Sequence, residues 1–210
     1  YVPLEEATKG IVVTQYEMGG VEELGLLKMD FLGLRNLDVI TDTLEIISGT
    51  RGEVVDIDDV RLDDDATFSL LQRAETMGVF QLEGTQMPAR IRSLAPTSFE
   101  DVAALVALYR PGPMSVNMHN DYADIKNGRK EVSYFHPDAE KILGDTYGLM
   151  IYQESVMRVA QLFAGYSLAQ ADNLRKACGK KNREVMARER EAFEDGVEAT
   201  GYGPDLGRQL

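Results

Sequence analysis

The chain has 210 residues, of which 44% are hydrophobic and 27% charged, enough for one large domain or two small ones with a real core. A formal net charge of −13 argues against general polyanion binding, and a single cysteine excludes a disulfide framework or a cysteine metal site. No stretch approaches the length of a membrane span. The charge is uneven, however: residues 53–65 hold seven acids and one Arg, whereas residues 175–183 hold five bases and no acid. A local phosphate site therefore stays open.

In chain order, the β-branched run at 11–17 predicts a strand, Gly19-Gly20 a turn, and the apolar stretch 25–31 a partner strand. From Leu34 the spacing becomes helical, with Leu37, Ile40, Leu44 and Ile47 on one face and Gly49 and Gly52 ending it. The acidic segment that follows reads as a solvated connector. In it, Asp65 is expected to cap a helix beginning at Ala66, which is preferred over a cation site at Asp63-Asp64-Asp65.

Residues 76–82 read as a strand or turn, and Ser98 with Asp101 as a capping box opening a helix from Phe99 to Tyr109. Pro111 pushes Arg110 out of helical geometry and stops that helix. A second helix is expected over 114–126, a short buried strand over 147–152, and a helix from Gln153 to about Ala164 closed by Gly165. Ser167 with Gln170 forms an S-x-x-Q box for a helix reaching Cys178 and ended by Gly179, and a charged helix fits 183–199. The first residues carry neither an initiator Met nor a signal peptide, and a helix reads as continuing at the last, so an internal fragment is expected.

Several residues are candidates for chemistry. On an extended strand Lys28 and Asp30 project from one face. They are either a pair at a solvated rim, which spacing alone favours, or a carboxylate for a divalent cation beside a lysine for a phosphate. Arg110, at the end of a buried helix, either forks onto an anion or complements the helix dipole, and its position leaves both open. Arg175, Lys176, Lys180 and Lys181 exceed what capping requires and read as a phosphate-facing patch, although Gly179 belongs to no Walker-type loop. Tyr147, Tyr152 and Gln153 surround a strand end where an aromatic could stack on a base, but each tyrosine singly is more often a core residue. His119 and His136 have neither zinc nor triad spacing and fit helix-dipole, loop or surface roles.

The blocks LLKMDFLGLRNL, ETMGVFQLEG, FEDVAALVALYRPGP, TYGLMIYQESVM and AGYSLAQADNLRKACGKK, in this order, resemble the C-family of bacterial replicative DNA polymerases, the polymerase III alpha subunits. The resemblance runs from about residue 10 to the end. It implies an α+β fold: residues 1–35 as the end of a Pol β-like nucleotidyltransferase palm, seen as a strand pair, and 36–210 as a mostly helical fingers domain, incomplete at its C-terminus. Three palm acids in the family bind two Mg²⁺ ions, and Asp30 falls where the third lies. The other two belong to a D-x-D strand that would lie upstream, preceded by a PHP-like domain.

Lys28 matches the palm lysine near the triphosphate. Arg110, Arg175 and Lys176 match nucleotide-facing fingers positions, with Lys180 and Lys181 nearby, and Gln153 is a further nucleotide-binding candidate. Lys176 stands where many relatives have Arg, keeping the charge and losing the fork. Cys178 stands in place of Met, which predicts an apolar core position.

The implied activity is template-directed DNA synthesis from dNTPs in the bacterial cytoplasm. The implied partners are primer–template DNA, a sliding clamp, a proofreading exonuclease and clamp-loader subunits, with no membrane. A fragment holding one of three metal-binding acids is expected to be inactive alone. The competing readings are a non-catalytic helical module whose acidic segment 53–65 binds a basic partner, with no role for Asp30 or Lys28, and a nucleotidyltransferase with a similar palm outside replication.

Overall fold

A computed structural model describes residues 1–180 and 183–210, with the side chains at 180 and 183 left aside. The fold is α+β, mostly helical with one small sheet, and divides into two compact units, Tyr1–Val60 and Arg61–Leu210.

In the first unit, strands β1 (Leu4–Glu6) and β2 (Val12–Thr14) pair antiparallel, with Leu4 opposite Thr14 and Glu6 opposite Val12. The partner of β2 is thus the stretch before it. The expected strand at 25–31 does not form, and 26–34 is irregular. A strand persists only if its N–H and C=O groups find a ladder, and the described residues offer no third strand. Leu27, Phe31 and Leu32 are 83%, 91% and 92% exposed, so burial does not order this run either. Helix α1 (Met18–Glu23) starts where the Glu17 carboxylate accepts the N–H groups of Gly19 and Gly20 at 2.9 and 2.8 Å. Helix α2 (Asn36–Arg51) follows the predicted periodicity and ends at Gly52, running through Gly49. No residue of 1–60 is buried.

The second unit holds two hydrophobic cores. The first is built by α3 (Asp65–Gln72), α4 (Met87–Leu94), α5 (Phe99–Leu108) and α7 (Met118–Lys126), with the short α6 (Pro111–Ser115) between the last two. Asp64, one residue earlier than expected, caps α3, because its carboxylate is the one that reaches the N–H and hydroxyl of Thr67, both at 2.7 Å. Residues 76–82 form turns, tied by the buried Thr76 hydroxyl donating to the Leu82 carbonyl at 2.8 Å. The helix expected over 114–126 is two helices. Pro111 starts α6 at its first position, and Asn117, at φ 61°, breaks the chain before α7.

The second core is built by α8 (Glu140–Leu143), α9 (Gln153–Ala164), α10 (Leu168–Lys180), α11 (Arg183–Ala199) and α12 (Pro204–Gln209). Leu143 and Phe163 are fully buried here, as Ile91 is in the first core, each worth roughly 1.5–3 kcal/mol by transfer from water. Segment 147–152 runs between the cores without being a strand. Its alternation is real, since Tyr147, Leu149 and Ile151 pack on the first core and Met150 on the second. Local turns satisfy its backbone, among them the Thr146 hydroxyl donating to the Leu149 carbonyl at 2.7 Å.

Candidate nucleotide-binding site

The first turn of α9 and the C-terminal half of α10 meet at one surface. Tyr152 is extended and places Gln153 at the first helical position, while Val159, Ala160 and Phe163 bury α9 in the second core. The predicted capping box opens α10: Gln170 Oε1 accepts the Ser167 N–H at 2.9 Å, and Ser167 Oγ accepts the Gln170 N–H at 3.3 Å. Ala171, Leu174 and Ala177, spaced by one turn, bury α10, and the two alanines let it lie close to its neighbour.

That register leaves Asp172, Arg175 and Lys176 partly or fully open to solvent. Arg175 Nη1 donates to Gln153 Oε1 at 3.1 Å, joining the two helices. Its Nε and Nη2 donate to Asp172 Oδ1 at 2.9 and 2.7 Å, and Lys176 Nζ lies 2.7 Å from Asp172 Oδ2. The Lys176 and then the Arg175 contacts hold the Asp172 carboxyl below the usual carboxylate range.

Three of the predicted residues, Gln153, Arg175 and Lys176, are therefore brought together. Asp172, which links the two cations, was missed, although its i, i+3 and i+4 spacing to Arg175 and Lys176 is visible in the sequence. Lys180 closes α10 in the chain, and Lys181 lies outside the described residues. Cys178 is exposed rather than in the core. The buried stripe of α10 falls on Leu174 and Ala177, so Cys178 lies on the wall of an open groove beside Met186 and Phe193.

Arg110 has the extended geometry expected before proline, φ −132° and ψ 152°. Its backbone carbonyl accepts the Met114 N–H at 3.0 Å, and its exposed guanidinium has no hydrogen bond or ion pair among the described residues. Among the described residues no hydrogen bond or ion pair joins it to the α9–α10 cluster. Tyr147 and Tyr152 are half-buried, and Tyr147 stands edge-on to Tyr122 with ring centroids 5.0 Å apart. Burial pushes the pKa of the Tyr122, Tyr147 and Tyr152 hydroxyls up. His136 caps a short turn, its Nδ1 accepting the Asp138 N–H at 3.1 Å, and His119 lies in the first turn of α7.

Lys28 and Asp30 form an ion pair at 2.8 Å with both side chains more than half exposed. The pairing comes from proximity in an irregular segment and not from a shared strand face. The described residues contain no group of three or more His, Cys, Asp or Glu side chains placed to hold a metal ion. A lone Asp30 carboxylate does not make a self-contained metal centre.

The family model of the bacterial DNA polymerase III alpha subunit finger domain matches residues 36–201. Among curated proteins, the DNA polymerase III subunit alpha of Mycobacterium tuberculosis (strain ATCC 25618 / H37Rv) is 53% identical over 93% of this chain and 17% of that relative. Those of Thermus aquaticus and Bacillus subtilis (strain 168) are 50% and 45% identical, each over the whole of this chain and over 17% and 19% of their own lengths. No helix among the described residues is long and apolar enough to cross a membrane. The chain spans less than a fifth of these relatives, and it belongs to the bacterial DNA polymerase III alpha subunit family, within whose finger domain residues 36–201 fall.

Proposed function

We propose that this chain is part of the catalytic subunit of a bacterial replicative DNA polymerase and supplies nucleotide-facing cations for template-directed DNA synthesis from dNTPs. The observation that carries the reading is the convergence of Gln153, Arg175 and Lys176 on one accessible surface, fixed by the Arg175–Gln153 bond at 3.1 Å. A guanidinium held in place and an ammonium beside it neutralise charge building on a triphosphate without reorganising during the reaction. Arg110, with its guanidinium free of partners among the described residues, is a further cation for the nucleotide that the resemblance supports, with Lys180 and Lys181 following Lys176 in the chain.

In this reading residues 1–35 are the end of the palm. Asp30 contributes one carboxylate to a two-Mg²⁺ centre completed by residues outside this chain, and Lys28 faces the triphosphate. Support for that part is confined to the sequence resemblance and to the accessibility of both side chains, 58% and 56% exposed. Primer–template DNA is the substrate, and clamp, proofreading exonuclease and clamp-loader subunits are partners of the whole protein, which acts in the bacterial cytoplasm.

The test is primer extension by the full-length protein, wild type against Asp30→Asn, with primer–template binding measured in parallel. Lost extension with retained binding is the expected result. Retained extension removes Asp30 from the active site. Residues 1–210 alone are expected to incorporate no nucleotide.

A further inference from the structure

Both oxygens of the Asp172 carboxylate are committed to the cations on which the proposed site depends. Oδ1 accepts from Arg175 Nε and Nη2 at 2.9 and 2.7 Å, and Oδ2 takes Lys176 Nζ at 2.7 Å. An Asp followed by bases three and four residues later is an ordinary helix-surface arrangement. Two facts set this one apart. The guanidinium is held a second time, from another helix, by Gln153 at 3.1 Å. The group is also open to solutes, with the Asp172, Arg175 and Lys176 side chains 33%, 32% and 56% exposed.

A guanidinium has five N–H donors and an ammonium three. Among the described residues Arg175 uses one each on Nε, Nη1 and Nη2, and Lys176 uses one, so both keep donors free for a second anion. Any phosphate oxygen that takes them sits beside a carboxylate of like charge, which stays ionised because its partners hold its pKa below the usual range.

We propose that Asp172 is an internal counter-anion of the nucleotide site. It holds Arg175 and Lys176 in place when no nucleotide is bound, weakens their hold on polyphosphate, and recovers them when pyrophosphate leaves. Asp172 is a positioning residue that acts through the two cations. The inference rests on the reading of the α9–α10 surface as triphosphate-facing.

Asp172→Asn keeps the shape and an acceptor oxygen and removes the charge. In primer extension by the full-length protein it should lower the inhibition constant of inorganic pyrophosphate about twofold to fivefold, the effect expected from a single partly exposed charge pair. It should lower KM for dNTP in the same direction and steepen the salt dependence of both. Asp172→Glu, which restores the charge, should return the pyrophosphate constant toward wild type.

Asp172→Ser removes the charge by a different side chain and guards against a folding defect peculiar to the amide. Unchanged or weaker pyrophosphate inhibition in both neutral variants overturns the proposal and leaves Asp172 as a structural support for Arg175. Arg175→Ala separates this failure from a failure of the site itself. If it weakens pyrophosphate and dNTP while the Asp172 variants strengthen neither, only the counter-anion role is lost. If it changes neither, the surface is not the nucleotide site and the proposal falls with it.

Discussion

Lys126, at the end of α7, reaches Asp101 in the first turn of α5 at 3.3 Å, with the two side chains only 9% and 5% exposed. The same carboxylate accepts the N–H groups of Thr97 and Ser98 at 2.8 and 3.3 Å, and Lys126 also donates to the Ala95 carbonyl at the end of α4 at 2.8 Å. One ion pair thus closes the C-terminus of α4 and the N-terminus of α5 together, with each charge at the helix end that favours it. The helix it anchors is the one that ends just before Arg110.

Asp101→Ala leaves the Lys126 ammonium buried without its counter-ion, and the expected loss is about 3–5 kcal/mol in urea unfolding. The double variant Asp101→Asn, Lys126→Met should lose clearly less than the sum of its single changes, since neither charge is then stranded. Additive losses would mean that the pair is not coupled.

The Gln153–Arg175 bond makes a kinetic prediction. Arg175→Ala in the full-length protein should raise KM for dNTP about tenfold to a hundredfold, as expected for losing charge-assisted hydrogen bonds. Gln153→Ala should cause a smaller rise, because it frees the guanidinium without removing it. Steady-state kinetics with primer–template held saturating separates the two. Equal effects would make Gln153 a direct contact and not a support.

Two glycines predict opposite signs. A Cβ on Gly196 would lie 2.6 Å from the Ala164 carbonyl oxygen and 3.0 Å from its Cβ, at the crossing of α11 over the end of α9. Backbone cannot yield as a side chain end can, so Gly196→Ala should cost about 1–3 kcal/mol by overpacking. Gly49 lies inside α2, and a Cβ there meets nothing within 4 Å, so Gly49→Ala should stabilise α2 by about 0.5–1 kcal/mol. Thermal unfolding of the two variants gives the comparison.

Local signals in the sequence were enough for the helices that carry the site. The boxes at Ser98 and Ser167, the stop at Gly165 and the last long helix over 183–199 all depend on residues a few positions apart. Segments 25–31 and 147–152 were misread because apolar content does not tell whether a partner strand exists. One stays exposed, and the other alternates between two cores. Within the site, Arg175 and Lys176 are legible as excess charge, and Gln153 as a candidate beside Tyr147 and Tyr152. The Arg175–Gln153 contact spans 22 residues and depends on α9 and α10 packing side by side, which no local pattern encodes. Asp172 escapes the sequence because an acid one turn before two bases looks like surface pairing until one of its partners, Arg175, is seen to be shared with another helix.

Asp138 gives a pH-dependent prediction. Its carboxylate is paired with Lys141 and accepts the Tyr202 hydroxyl at 2.9 Å, bridging the short turn before α8 to the turn after α11 across 64 positions of sequence. The Lys141 contact, then that of Tyr202, hold its pKa below the ordinary carboxylate value. A group with a depressed folded-state pKa binds its proton more readily when unfolded. Its contribution is therefore present above the unfolded value, about pH 4, and is lost as pH falls through the lower folded value. Asp138→Asn should melt below wild type at neutral pH, and the gap should close as the buffer is taken below about pH 4. Tyr202→Phe should reproduce only part of the neutral-pH gap, since Lys141 still holds the carboxylate. A gap of constant size down to acid pH would show that Asp138 contributes shape and hydrogen bonding alone, with its charge playing no part.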